Sequence, residues 1–185
     1  MTMITLVTGN AHKLADWQRL FPGDIPLTSQ DVDLEEIQSL DLGEIIEAKA
    51  KAAYAVVQAP IIVEDVSCGL DNLGGLPGPF MTFFEKQLGK EAIFRLADHE
   101  GDPVTVRCAV AYYDGTDMVQ VQSEVHGQVI PARGEHGFGF DYCFVAEGQT
   151  KTYAELTPEE KGKISHRGQA IELLLPKLRQ RLSNS

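Results

Sequence analysis

Cysteine is scarce in this chain. Cys68, Cys108 and Cys143 are the three among 185 residues, and no two form a CxxC pair. That spacing excludes a disulfide framework, carries no structural zinc motif, and suits reduced thiols. Basic residues are few as well: 16 Lys and Arg against 27 Asp and Glu leave a formal charge of −11. Such a balance argues against a nucleic acid or an anionic membrane as partner, so any phosphate site must be a local pocket of cations. No apolar run approaches the roughly 18 residues of a membrane helix. Residues 1–7 carry no basic stretch ahead of their apolar residues, and a cytoplasmic, unprocessed chain is expected. Internal repeats, low-complexity tracts and flexible linkers are also lacking. The length suits one substantial core, or two lobes sharing one, so a single domain over residues 1–185 is expected.

What is present alternates between strand and helix patterns. Ile4 to Val7 reads as a short buried strand, broken by Thr8-Gly9-Asn10 before a helix containing Leu14, Trp17 and Leu20 or Phe21. An acidic connection from Asp31 to Glu36 leads to a second helix near Asp41, where Asp41 and Glu44 form a capping box. Its apolar stripe runs through Ile45, Ile46, Ala52, Ala53, Val56 and Val57. Ile61 to Val63 is a second buried strand, expected to end at Glu64-Asp65, and Gly69 to Gly78 reads as an irregular loop. A helix is expected over 79–98, then a hairpin of strands 104–113 and 118–130 turned at residues 114–117, then a glycine-rich loop over 134–139. Strands mixed with helices imply an α/β protein with a mixed sheet.

Several positions suit chemistry on a phosphorylated ligand. Thr8, Gly9, Asn10 and Lys13 stand where a strand hands over to a helix, a place from which backbone N–H groups and a lysine hold phosphate. The spacing is not that of a P-loop, and a tight turn at Gly9 with Asn10 as helix cap explains the same residues. Lys49 falls on the apolar stripe of its helix. It either snorkels to the surface or presents its ammonium to a bound anion. Glu64 and Asp65 end a strand at the edge where α/β proteins place catalytic groups, and they point to opposite faces. Asp65 is the choice for binding magnesium or taking a proton from water. Glu36 and Glu44 are the alternatives for a second carboxylate.

Gly137-Phe138-Gly139-Phe140-Asp141 alternates glycine with aromatics before an acid. It suits either a base-stacking loop or a turn with core aromatics. Near the C-terminus, Thr157-Pro158-Glu159-Glu160 reads as a helix entry, and Ser165 as the cap of a further helix carrying Ile171, Leu174, Leu175, Leu178 and Leu182. Lys161, His166 and Arg167 stand around that second start, as an anion site or as a solvated basic turn.

In this order, Thr8-Gly9-Asn10 with Lys13, Val63-Glu64-Asp65 leading to Leu73 through Gly78, Phe138-Gly139-Phe140-Asp141, and Ala154-Glu155 and Lys161 with Ser165-His166-Arg167 make the chain resemble the inosine triphosphate pyrophosphatase family over nearly its whole length. The resemblance implies a mixed-sheet α/β fold of two lobes around a central nucleotide-binding cleft, and a homodimer. It implies magnesium-dependent hydrolysis of ITP, dITP and XTP to the monophosphate and pyrophosphate. Carried onto this sequence, Thr8 to Lys13 cradle phosphates, Glu36 and Asp65 hold Mg2+, and Asp65 orients or deprotonates the water. Lys49 and Lys161 neutralise phosphate charge. Phe138, with Gly139 and Phe140, stacks on the base, and Asp141, His166 and Arg167 stand at its polar edge. Val66, Tyr142, Thr82 and Ile45 depart from the family pattern, which bears on substrate preference and leaves the metal and phosphate set intact. Two other readings stand beside this one: a house-cleaning pyrophosphatase for modified pyrimidine nucleotides, and a nucleotide-binding regulator without catalysis.

Overall fold

A computed structural model describes residues 3–183. In chain order the elements are β1 (Ile4–Val7), α1 (Ala11–Leu20), β2 (Leu27–Gln30), α2 (Leu42–Val57), β3 (Ile61–Leu70), β4 (Leu76–Gly78), α3 (Met81–Leu88), α4 (Ala92–Leu96), β5 (Pro103–Tyr113), β6 (Met118–Val129), β7 (Phe144–Ala146), α5 (Pro158–Ile164) and α6 (His166–Ser183). Short 3-10 turns occupy 71–73, 89–91, 139–142 and 153–155. The strands form one sheet in the order β2-β1-β3-β5-β6-β7, with β4 on β3. β1 runs parallel to both β2 and β3, while β4 and β7 are antiparallel to their partners, so the sheet is mixed as expected. Among the described residues no helix is long and apolar enough to cross a membrane.

The chain gathers into two compact units. The first takes residues up to Asp65, Cys108–Ser123 and those from Gln169 onward; the second takes Val66–Arg107 and Glu124–Gly168. In the first, Leu42, Ile45, Ile46, Ala50 and Ala53 bury one face of α2 against Val7, Ile61, Val63, Ala109 and Ala111. These positions recur every three or four residues, so one stripe of the helix meets the sheet. Each fully buried Ile or Leu contributes about 1.5–3 kcal/mol. Val56, expected on this stripe, is instead 57% exposed in the last turn of α2. In the second unit, Cys68, Leu70, Met81, Ile93, Val104, Val106, Val129, Phe144 and Tyr153 share a core. Phe144 and Tyr153 meet edge to face at 4.9 Å there.

Three further local expectations are corrected. The strand beginning at Ile61 does not end at Glu64-Asp65 but continues to Leu70, because the glycine- and proline-rich segment returns as β4 and pairs Cys68 with Gly78, Gly69 with Pro77 and Leu70 with Leu76. Pro77 is tolerated on a strand that lies off the main path of the sheet. The single helix expected over 79–98 is broken at Gly89, whose φ of +78° is a conformation glycine adopts without strain. Asp41 caps α2 by accepting from the N–H groups of Gly43 and Glu44, but Glu44 completes no capping box. Its carboxylate instead accepts from the Ser39 hydroxyl at 2.8 Å. Two strands, β2 and β7, had no counterpart in the sequence reading, since they carry only four and three residues, too few to display a period.

Candidate active site

In the first unit, β1 ends at Val7 and the chain turns into α1. Thr8 Oγ1 accepts from the Asn10 N–H, and Asn10 Oδ1 accepts from the N–H groups of His12 and Lys13 at 2.9 and 3.2 Å. Asn10 is therefore the helix cap. A Cβ placed on Gly9 would stand 2.5 Å from Asp31 Oδ1, so a side chain there would require the Asp31 carboxylate to shift.

Lys49, one turn beyond Ile45 on α2, brings two carboxylates together. Its Nζ lies 2.5 Å from Glu36 Oε1 and 3.6 Å from Asp65 Oδ2. Burial works against the ammonium, but Asp65, Glu36 and more weakly Glu64 outweigh it and hold its pKa above the ordinary lysine value. Glu64, the next residue back on β3, is engaged elsewhere. It accepts from the Trp17 indole N–H at 2.7 Å, and its other oxygen lies 3.5 Å from Lys13 Nζ.

In the second unit the groups are more deeply buried. Thr157 caps α5 with Pro158 at the first position and Glu160 completing the capping box, as read from the sequence. Ser165 both ends α5 and accepts from the Gly168 N–H to cap α6. The corner between the two helices carries Lys161, His166 and Arg167 inward, at 7, 2 and 1% exposure. A solvated basic turn is thereby ruled out. Lys161 Nζ is ion-paired with Asp141 Oδ2, which also accepts from the Phe138 N–H. The Lys161 ammonium lies 5.1 Å from the centre of the Phe138 ring and 5.5 Å from that of Tyr153. The Arg167 guanidinium is 5.6 Å from the Phe138 ring. His166 packs between Phe140, at 5.6 Å, and a stacked Tyr153, at 6.0 Å.

Thr8, Gly9, Asn10, Lys13, Glu36, Lys49 and Asp65 thus belong to the first unit. Phe138, Gly139, Phe140, Asp141, Lys161, His166 and Arg167 belong to the second. Lys161, grouped by resemblance with the phosphate cations, stands among the residues assigned to the base. Sequence reasoning passed over four residues. Trp17 follows Lys13 by four positions on α1, a spacing that was visible. Glu64 was set aside in favour of Asp65. Tyr153 was given no role, and Glu85, whose carboxylate would stand 2.7 Å from a Cβ on Gly139, gave no local signal. All three thiols are buried, and burial raises the pKa of Cys68 and that of Cys143, the latter to about 11.

Glu36 and Asp65 converge on one cation, the Lys49 ammonium. Magnesium takes one or two carboxylates and completes its shell with water and phosphate oxygens, so this donor pair fits it. No cluster of three His, Cys, Asp or Glu side chains suited to a metal occurs among the described residues.

Fold and charge groups together define a mixed-sheet α/β protein with inward carboxylate–lysine pairs in both compact units. More specifically, the chain belongs to the Ham1 family, whose model matches residues 4–177. It is 40% identical over 175 residues to the inosine triphosphate pyrophosphatase of Yarrowia lipolytica, covering 92% of this chain and 93% of that one. Among solved structures it resembles a HAM1 protein from Coxiella burnetii, with a TM-score of 0.82, 27% identity and coverage of 97% of this chain and 100% of the other. It also resembles a nucleoside-triphosphatase / dITP/XTP pyrophosphatase from Mycobacterium abscessus, with a TM-score of 0.70, 27% identity and coverage of 94% and 100%.

Proposed function

We propose that this chain hydrolyses the deaminated purine nucleoside triphosphates ITP, dITP and XTP to the monophosphate and pyrophosphate, with magnesium, in the cytoplasm and as a homodimer. Family membership and the names of its relatives support the reaction class. The observation that carries the reading is the convergence of Glu36 and Asp65 on the Lys49 ammonium, since a site that already holds one cation between two carboxylates suits a metal–triphosphate.

The residues of the chain divide the work. Lys13, with Thr8, Gly9 and Asn10 of the loop before α1, meets phosphate oxygens, and Lys49 moves from its carboxylates to the added negative charge. Glu36 and Asp65 would hold magnesium, which when bound offsets charge on the triphosphate. Asp65 orients the water and accepts its proton as the oxygen attacks phosphorus; the bond between the α- and β-phosphates breaks and pyrophosphate leaves. Phe138 offers its ring to the base. Donors from His166 or Arg167 suit the six-oxo group of hypoxanthine and xanthine, whereas the six-amino group of adenine leaves a buried donor unpaired.

The test is to supply Mg2+ with ITP, XTP, GTP, ATP or a modified pyrimidine triphosphate and to measure monophosphate, pyrophosphate and orthophosphate separately. Fast pyrophosphate release from ITP and XTP, with ATP far slower, is expected. A pyrimidine preference overturns the base assignment, and binding without turnover overturns catalysis. Sedimentation at working concentration checks the dimer.

A further inference from the structure

Trp17 is fully buried on α1, and a buried indole N–H needs an acceptor. It finds one in Glu64 Oε2 at 2.7 Å. Lys13 stands four residues earlier, on the same face of the helix, and its Nζ is 3.5 Å from the other oxygen of the same carboxylate. Phe21, four residues later, closes against the indole ring at 5.6 Å. One helix face therefore grips one carboxylate of β3 from two sides. We propose that Trp17 is a positioning residue, which through Glu64 holds the Lys13 ammonium at the β1–α1 loop where it meets phosphate.

The geometry explains how. A carboxylate is planar, so fixing one oxygen with a short, charge-assisted hydrogen bond fixes the direction of the other. At 3.5 Å the Lys13 contact is an ion pair longer than a hydrogen bond, and an ammonium has three donors, so Lys13 keeps donors for phosphate oxygens. A lysine stem is flexible, and holding it beforehand removes part of the entropy lost on binding. Without the indole N–H, Glu64 Oε2 loses this donor, and the orientation that the carboxylate gives the Lys13 ammonium changes. Because Glu64 directly precedes Asp65, the same clamp ties the loop to the strand that bears the proposed water-binding carboxylate. The inference rests on the reading above only in that Lys13 meets phosphate.

Trp17 is the sole tryptophan of the chain, so it gives a single indole N–H resonance in labelled protein. That resonance is expected downfield and slow to exchange, and it is expected to move when inorganic tripolyphosphate is added with Mg2+. Calorimetry with tripolyphosphate then supplies a double-mutant cycle. Trp17→Phe, which keeps the ring and removes the donor, is expected to weaken binding about fivefold, Lys13→Ala about tenfold, and the double variant no more than about twofold beyond Lys13→Ala alone. Losses that instead multiply overturn the proposal, as does an indole resonance unmoved by tripolyphosphate. Glu64→Gln keeps an acceptor for the indole but drops the charge facing Lys13. If Trp17→Phe does not fold, the cycle is run with this variant, and the same shortfall from multiplication is required. Failure of wild-type protein to bind tripolyphosphate overturns the proposal and the phosphate role of Lys13 together. An intact cycle in a protein that does not cleave ITP overturns the functional reading alone.

Discussion

The two units place their charges under different physical conditions. In the first, Glu36 has a side chain 52% exposed, and Lys49 and Asp65 are each 15% exposed, so water and ions reach the cluster. In the second, the Lys161–Asp141 pair is 9 and 2% exposed and stands beside the aromatic rings of Phe138 and Tyr153. Partly exposed pairs contribute little to folding and exchange partners easily, which suits an ammonium that must release carboxylates when a metal and phosphates arrive. A buried pair cannot lose one member without leaving an uncompensated charge, which suits a pocket whose shape is set before the ligand comes. Turnover is therefore expected to be sensitive in the first unit and stability in the second.

The sharpest test of that contrast is Asp65→Asn, expected to lower kcat for ITP about a thousandfold while the thermal midpoint moves by no more than about 3 °C. A large loss of stability in this variant would break the comparison. Asp141→Ala is the counterpart and is expected to cost about 3–5 kcal/mol in urea unfolding, because Lys161 is left buried and unpaired. Adding Lys161→Met to it should restore part of the loss, which separates the stranded charge from lost packing. Phe138→Leu is expected to raise KM for ITP about tenfold, through lost stacking, with a smaller change in kcat. Thr157→Ala removes the cap of α5 and is expected to cost about 1 kcal/mol.

The smallest effect is a pH dependence. The folded pKa of Lys49 is raised above the ordinary lysine value of 10.5, so its contribution to stability is complete below that pH and is lost as pH rises through the folded value. The difference in urea midpoint between wild type and Lys49→Met should therefore hold steady up to about pH 10 and shrink above it.

Local chemistry was legible where a few adjacent residues carry it. Thr157, Pro158 and Glu160 announce a helix start, Ser165 announces the next, and the inward register of Lys49 follows from the spacing of Ile45, Ile46 and Ala53. The continuation of β3 to Leu70 was not legible, because pairing with β4 overrides the glycine-rich composition that signals a loop. Nor were the partners of Glu64, since alternation along a strand tells only that Glu64 and Asp65 face apart, not which helix lies on each side.

From the chain alone came the alternation of strands and helices, the caps, the acidic balance and the set of residues suited to a phosphorylated ligand. These follow from neighbours within a turn or two, where backbone geometry and spacing decide the outcome. Only the tertiary structure decided that Lys49 bridges Glu36 and Asp65, that Lys161 pairs with Asp141 beside Phe138, and that Trp17 holds Glu64 against Lys13. Those pairings join residues 13 to 51 positions apart. Nothing local selects among the many carboxylates of an acidic chain; burial does, by leaving each inward charge only the partners that the packing brings within reach.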